Sequence, residues 1–131
     1  MKKNEGFTLI ELAIVVAIIG ILSTFAFGFF GENVIASNRT EGRAALQTAS
    51  ATLEKCKSLY GSYNNANCGY ADFNSESNYY AISVARTATT FTLTATPVAG
   101  QPQANDADCT AITLTNTHVK GGTGTDPTEC W

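Results

Sequence analysis

One carboxylate stands in the most apolar part of this chain. Glu11 follows Phe7-Thr8-Leu9-Ile10 and precedes Leu12 to Phe30, 19 residues without a charge. As a helix that run is about 28 Å long, enough to cross the hydrocarbon core of a bilayer. An ionisable group there costs on the order of 2.5–3.5 kcal/mol at the bilayer centre and less near the edge. Glu11 therefore calls for a partner, since a plain apolar anchor has no use for it. The other residues able to do chemistry are few. They are Cys56, Cys68, Cys109 and Cys130, the single His118, and Asn105-Asp106-Ala107-Asp108, which offers oxygen ligands at alternate positions.

Most of these fit no active site. His118 has no Ser–His–Asp or Cys–His constellation around it, so catalysis is not expected. The cysteines lack the close pairing of a zinc site. The Asn105–Asp108 stretch lacks the further Glu and the spacing of a calcium loop and reads as a solvated connection. Neither a metal nor another cofactor is expected. Asn38-Arg39-Thr40 fits a glycosylation pattern but falls on a helix and reads as a chance match. The net charge is −3, and the bases near aromatics, Lys55, Lys57, Arg86 and Lys120, are scattered. DNA binding needs a basic stripe with aromatic platforms, so DNA is an unlikely partner. Tyr60, Tyr63, Tyr70, Tyr79, Tyr80 and Trp131 read as packing residues.

The elements that position these residues follow from periodicity. Lys2 and Lys3 precede the apolar run and the next base is Arg39, which predicts a cytoplasmic N-terminus and an external C-terminus. Four cysteines on the oxidising side predict two disulfides. Three connectivities are open, and the local pairing Cys56–Cys68 with Cys109–Cys130 is favoured. Beyond Phe30 the helix is expected to continue to Leu59 and stop at Gly61. Phe7 to Leu59 would span about 80 Å. Leu46, Ala49, Leu53, Cys56 and Tyr60 share one face, with Arg39, Arg43, Gln47, Ser50, Glu54 and Lys57 opposite. Alternation predicts strands at Tyr80–Val84, Phe91–Thr96 and Thr110–Thr115, with a short fourth at Val119–Lys120. Residues 61–78, 97–108 and 121–129 read as irregular.

An ordinary secretory signal is cut after its apolar region, behind small residues. Here the small residue, Gly6, stands before it. Gly6-Phe7-Thr8-Leu9-Ile10-Glu11 resembles the processing site of the type IV pilin family, and residues 79–131 are similar to PilE-type minor pilins. The similarity there runs through Tyr79-Tyr80, Phe91 to Pro97, Gln103, Asp106 to Cys109, Leu114 to Thr117, Lys120-Gly121 and Cys130-Trp131. The resemblance implies cleavage between Gly6 and Phe7 by a prepilin peptidase, with N-methylation of Phe7. It implies that Glu11 meets the terminal amine of a neighbouring subunit during filament assembly. It implies an α+β fold: a long N-terminal helix, membrane-spanning in its first half, packed by its second half on a small antiparallel sheet. The parts would be a leader 1–6, an apolar assembly half-helix 7–30, an amphipathic half-helix 31–60 and a globular head 61–131. The partners would be other pilin subunits and the inner membrane, the final location an extracellular pilus. A minor pilin is the leading expectation, ahead of a major pilin, a DNA-receptor pilin and a type II secretion pseudopilin. Three positions depart from the family pattern. Gly28 stands where a Pro is usual, Thr110 follows Cys109 in place of Gly, and His118 occupies a turn that usually holds Gly.

The processing site generates the first prediction. Intact-mass measurement of the membrane form should show loss of Met1 to Gly6 and gain of one methyl group. A mass matching cleavage beyond Phe30 would sink the assignment of Gly6–Phe7.

Overall fold

The computed structural model describes residues 6–131, apart from the side chains of residues 27–29. Leader residues 1–5 and the surroundings of Gly28 lie outside the described residues. The chain forms two compact units, one ending at Val34 and one comprising Ile35–Trp131. A single helix, α1 (Leu9–Tyr60), contributes to both.

In the first unit α1 carries an apolar stretch, Leu9–Ala26, with mean hydropathy 2.5 and none of it buried. Its two hydroxyl residues turn inward. Ser23 donates to the Ile19 carbonyl and Thr24 to the Ile21 carbonyl, each at 2.7 Å. The stretch therefore asks little of an apolar solvent beyond accommodating Glu11.

In the second unit α1 lies on a five-stranded antiparallel sheet whose strands run in sequence order. These are β1 (Phe73–Asn74), β2 (Tyr80–Arg86), β3 (Phe91–Pro97), β4 (Ala111–Thr115) and β5 (Lys120–Thr123). Alternation sends Tyr80, Ile82, Phe91, Leu93, Ala95, Ile112 and Leu114 inward, against Leu46, Ala49 and Leu53. Register aligns these rows, with Leu93 opposite both Val84 and Leu114, and Ala95 opposite Ile112. Cross-strand pairs of this kind fix the sheet, because a one-residue slip would turn the whole row to solvent. Tyr63 meets Phe91 edge-on at 4.9 Å. The helix approaches the sheet tightly at Gly42, where a Cβ would lie 3.1 Å from Ile112 Cδ1 and from the Tyr80 ring.

The helix ends as its sequence dictates. Gly61 has φ 73° and its N–H reaches the Lys57 carbonyl at 2.7 Å, a left-handed cap open to glycine. Tyr60 lies on the predicted stripe but in the last turn, and stays 45% exposed. Two residues assigned to the opposite, polar stripe, Arg39 and Ser50, are buried at 5%. The irregular regions hold more order than their composition shows. β1 escapes notice because it is two residues long and its pairing is set by the following turn. There Ser75 N–H reaches the Tyr80 carbonyl at 2.8 Å and Asn78 takes φ 61°. β5 runs on through Gly121 and Gly122, which read as loop by composition. Glycine is needed at Gly122 because a Cβ there would collide with Cys130.

Cys56 is bonded to Cys68, tying the last turns of α1 to the loop beyond it. Cys109 is bonded to Cys130, closing the C-terminal stretch onto the start of β4. On the loop-entropy model each contributes about 3 kcal/mol.

Leu53 is fully buried and Leu59, on the same helix, is 64% exposed. Leu53→Ala should cost about 2–5 kcal/mol, and Leu59→Ala no more than about 0.5 kcal/mol. Urea unfolding followed by Trp131 fluorescence measures both. Similar losses for the two variants would contradict the packing described.

Candidate assembly site

Gly6 and Phe7 precede α1 outside any helix or strand and are exposed, Phe7 to 91%. Their peptide bond is free of helical hydrogen bonding. Thr8 then caps the helix. Its N–H and its hydroxyl donate to Glu11 Oε2 at 3.1 and 3.0 Å, and the Glu11 N–H reaches back to the Thr8 hydroxyl at 3.3 Å. This reciprocal arrangement is a capping box, which satisfies two of the helix's orphan N–H groups. It folds the carboxylate back towards the N-terminal end of α1, where the helix dipole favours negative charge. Thr8 is neutral, so the cap orients the charge of Glu11 without cancelling it. Among the described residues Glu11 thus takes Thr8 as its partner rather than Phe7.

A second cluster lies within Ile35–Trp131 and fixes how the C-terminal stretch meets α1. The Arg39 guanidinium donates from Nε and Nη2 to the two Asp106 oxygens, each at 2.7 Å. Both side chains are almost wholly buried. Gln103 Nε2 adds a donor to Asp106 at 2.9 Å and one to the Ile35 carbonyl at 3.1 Å. The Cys109 N–H completes the shell of Asp106 at 3.1 Å. Arg39 also reaches Glu129, while Arg43 donates to the carbonyls of Cys130 and Glu129 at 2.7 and 2.8 Å. Two guanidiniums therefore hold the last turn of the chain beside the Cys109–Cys130 bond.

Charge settings follow from this geometry. Burial pushes the Asp106 carboxyl up, but the Arg39 hydrogen bonds, the Cys109 N–H and the Arg39 charge outweigh it and hold it below its ordinary value. Arg39 is held further towards its charged form, first by its hydrogen bond to Asp106. The neighbouring Tyr80 hydroxyl is pushed up to about 12, mainly by burial and then by the Asp106 charge.

This cluster was not visible in the sequence. Asn105–Asp108 reads there as a solvated loop or, less well, a calcium ligand set. The structure corrects that reading, because the Asp106 oxygens are taken by Arg39, Gln103 and Cys109. Asp108 stays exposed, accepting from the Thr125 hydroxyl at 2.8 Å. The family resemblance marked Gln103 and Asp106 without giving them a partner. His118 occupies its turn with φ 59°, a conformation His tolerates better than most residues. Of the bases near aromatics, Lys57, Lys120 and Arg86 are engaged within the chain, while Lys55 is exposed. Lys57 Nζ lies 4.4 Å from the Tyr63 ring centroid and Lys120 Nζ 4.8 Å from that of Trp131. Arg86 donates to the Tyr63 and Tyr70 carbonyls at 3.2 and 2.8 Å.

An exposed apolar helix opened by a capped glutamate, continuing onto an antiparallel sheet closed by a C-terminal disulfide, defines the pilin class of filament subunit. The chain belongs to the type IV pilin family. Residues 29–113 match the family described as "Type IV minor pilin ComP, DNA uptake sequence receptor", and residues 1–27 match the prokaryotic N-terminal methylation motif. Among curated relatives, the type IV major pilin protein PilA of Myxococcus xanthus is 38% identical over 86 residues, covering 63% of this chain and 39% of that protein. The type IV major fimbrial protein FimA of Dichelobacter nodosus is 55% identical over 39 residues, covering 30% and 24%. The matched stretch thus spans about two fifths of the first relative and a quarter of the second. A solved type IV pilin from Shewanella oneidensis aligns with TM-score 0.55 and 25% identity, over 74% of this chain and 97% of that one. The non-core minor pilin PilV of Neisseria meningitidis shares the fold, with TM-score 0.54 and 21% identity over 72% and 91%.

The lowered Asp106 carboxyl gives a pH prediction with a fixed sign. Its stabilising contribution is present above the unfolded value of about 3.9 and is lost as pH falls through the lower folded value. Asp106→Asn should cost about 3–5 kcal/mol at pH 7, because it removes the buried counter-charge of Arg39 and leaves it only the exposed Glu129 and Asp108 carboxylates. It should also flatten the fall in stability between pH 5 and pH 2. Thermal unfolding across that range is the measurement, and equal acid slopes in both proteins would show that Asp106 does not carry the effect.

Proposed function

We propose that this chain is a minor pilin, a low-copy subunit of an extracellular type IV filament. It is first an inner-membrane precursor, cut after Gly6 by a prepilin peptidase and methylated on Phe7. It then enters the filament through the apolar half of α1 and acts by assembly, with no catalytic step of its own. The observation that carries this reading is the match of residues 29–113 to a minor-pilin family. The exposed apolar stretch supports the assembly route, since Leu9–Ala26 finds no cover within its own chain. Water is a poor solvent for it, and lipid or other such helices are good ones. Cleavage creates an amine at Phe7, and Glu11 supplies the opposite charge. In an apolar bundle each lowers the other's desolvation cost, so the pair specifies register as helices leave lipid.

A second reading is a receptor for DNA, favoured by the description of the matched family. The surface supports it less. Within residues 35–131 acids outnumber bases, and of the bases Arg39, Arg43, Lys57, Arg86 and Lys120 all have partners inside the chain. A gel-shift assay at two salt concentrations separates the readings. A retarded band that weakens with salt would favour the receptor.

Glu11→Ala tests the assembly route. Cleavage and membrane level should stay normal, since the substitution removes a charge from the membrane segment. The amount of this chain in sheared filaments should fall at least tenfold. Wild-type incorporation of the variant would show that Glu11 has no part in assembly.

A further inference from the structure

Four cysteines allow three pairings, and chain length alone separates them poorly. Cys109 and Cys130 are 21 residues apart. The wrong pair Cys68–Cys109 closes a loop about twice as long, which chain statistics disfavour only about threefold. Contacts that exist without the bond have to supply the rest of the selection. Some are backbone contacts. The Thr110 N–H reaches the Thr123 carbonyl at 2.7 Å, Thr125 N–H the Ala107 carbonyl at 2.9 Å and Asp126 N–H the Asp108 carbonyl at 3.2 Å. That pairing ends at Asp126, short of Cys130. The single turn that follows, Pro127–Cys130, is held against α1 by side chains. Arg43 donates from Nε to the Cys130 carbonyl at 2.7 Å and from Nη2 to the Glu129 carbonyl at 2.8 Å. At the other cysteine, the Cys109 N–H reaches Asp106 Oδ1 at 3.1 Å, and Arg39 fixes Asp106. Each member of the pair is thus held from α1, Cys130 directly and Cys109 through Asp106. None of these contacts uses a sulfur atom. The Cys56–Cys68 pair is served differently, since it closes only 12 residues at the end of α1 itself.

We propose that Arg39, Arg43 and Asp106 form a template for oxidation. They dock residues 126–130 on α1 while Cys109 and Cys130 are still thiols, and so dictate which thiols meet. A guanidinium fork accepts one orientation of a carboxylate, so the docked state is a single arrangement and not a loose collapse. The bond then forms by two exchanges with a small-molecule disulfide, oxidised glutathione in the test below. One cysteine thiolate attacks it and releases a glutathione thiolate. The other attacks the resulting mixed disulfide and releases the second. Two cysteine thiols are oxidised, one glutathione disulfide is reduced to two thiols, and the two cysteine protons pass through solvent to those thiols. The inference uses only contacts within residues 35–131 and does not depend on the subunit's place in a filament.

The full mature chain in detergent is reduced in urea, then diluted into a glutathione redox buffer. Samples are alkylated at timed intervals and their bonds mapped by peptide mass. Asp106→Asn should slow closure of Cys109–Cys130 at least fivefold and raise the share of chains in which Cys109 or Cys130 is bonded to Cys56 or Cys68. Arg43→Ala, which leaves the buried ion pair in place, should slow it at least twofold. Closure of Cys56–Cys68 should keep its wild-type rate in both. Leu53→Ala is the control, because it loosens the core of the same unit away from these contacts; its Cys109–Cys130 rate should stay within twofold of wild type. A wild-type rate in Asp106→Asn overturns the proposal, and so does equal slowing in Leu53→Ala, which would make general stability the cause. A second measurement removes the bond. Trp131 is the only tryptophan and its Nε1 donates to the Gly121 carbonyl, so its shielding from acrylamide reports docking of the C-terminal turn. In the double variant Cys109→Ala, Cys130→Ala that shielding should equal wild type, and adding Asp106→Asn should raise quenching at least twofold. Free quenching in the double variant alone would show that the turn docks only after the bond forms, and the template would be refuted.

Discussion

The bidentate contact between Arg39 and Asp106 is the interaction on which the second unit is arranged. It joins α1 to a loop 67 residues further along the chain, with both side chains removed from water. A buried ion pair rarely adds much net stability over a well-packed apolar pair, because both ions must be desolvated. What it adds is discrimination. A guanidinium fork accepts one orientation of a carboxylate, and any other placement of the loop leaves a buried charge alone at a cost of several kcal/mol. Asp106 is further held by Gln103 and by the Cys109 N–H, so the loop cannot slide without breaking a full shell.

The placement propagates. Cys109 is fixed by Asp106 and bonded to Cys130, whose carbonyl is held by Arg43. Cys130 lies against Gly122 of β5, and the neighbouring Trp131 bonds to Gly121. The C-terminal residues are thereby held against β5. On the opposite side of the sheet other contacts hold the loop. Asp72 accepts from the Val84 N–H beyond the short β1, and Arg86 satisfies two loop carbonyls.

The first unit obeys the opposite logic. Its apolar residues are unburied, and its polar atoms are satisfied locally by the Thr8–Glu11 cap and by the Ser23 and Thr24 back-bonds. Among the described residues the capped carboxylate has no charged partner, and it is oriented towards the N-terminal end of α1. A helix of this kind is stable in lipid and equally stable against other such helices, which is the condition for moving between the two.

Local pattern made much of this legible from the residues alone. The apolar run and Gly6-Phe7 declare the family because both are contiguous. The 3.6-residue stripe of Leu46, Ala49 and Leu53 and the alternation in Phe91–Thr96 declare helix and strand because period reflects one buried face. The left-handed positions at Gly61 and His118 are likewise local. Tertiary structure decided whatever depends on residues distant in sequence. Arg39 reads as surface until Asp106 is brought to it. Gly42 is an ordinary helical residue until Tyr80 and Ile112 crowd its Cα. Gly122 looks like loop until the Cys109–Cys130 bond needs the space above it, and Gly121 until Thr113 does. β1 is too short to carry a period and exists because the Ser75–Asn78 turn aims it at β2. Composition states what a segment can bury; only the fold states what lies opposite.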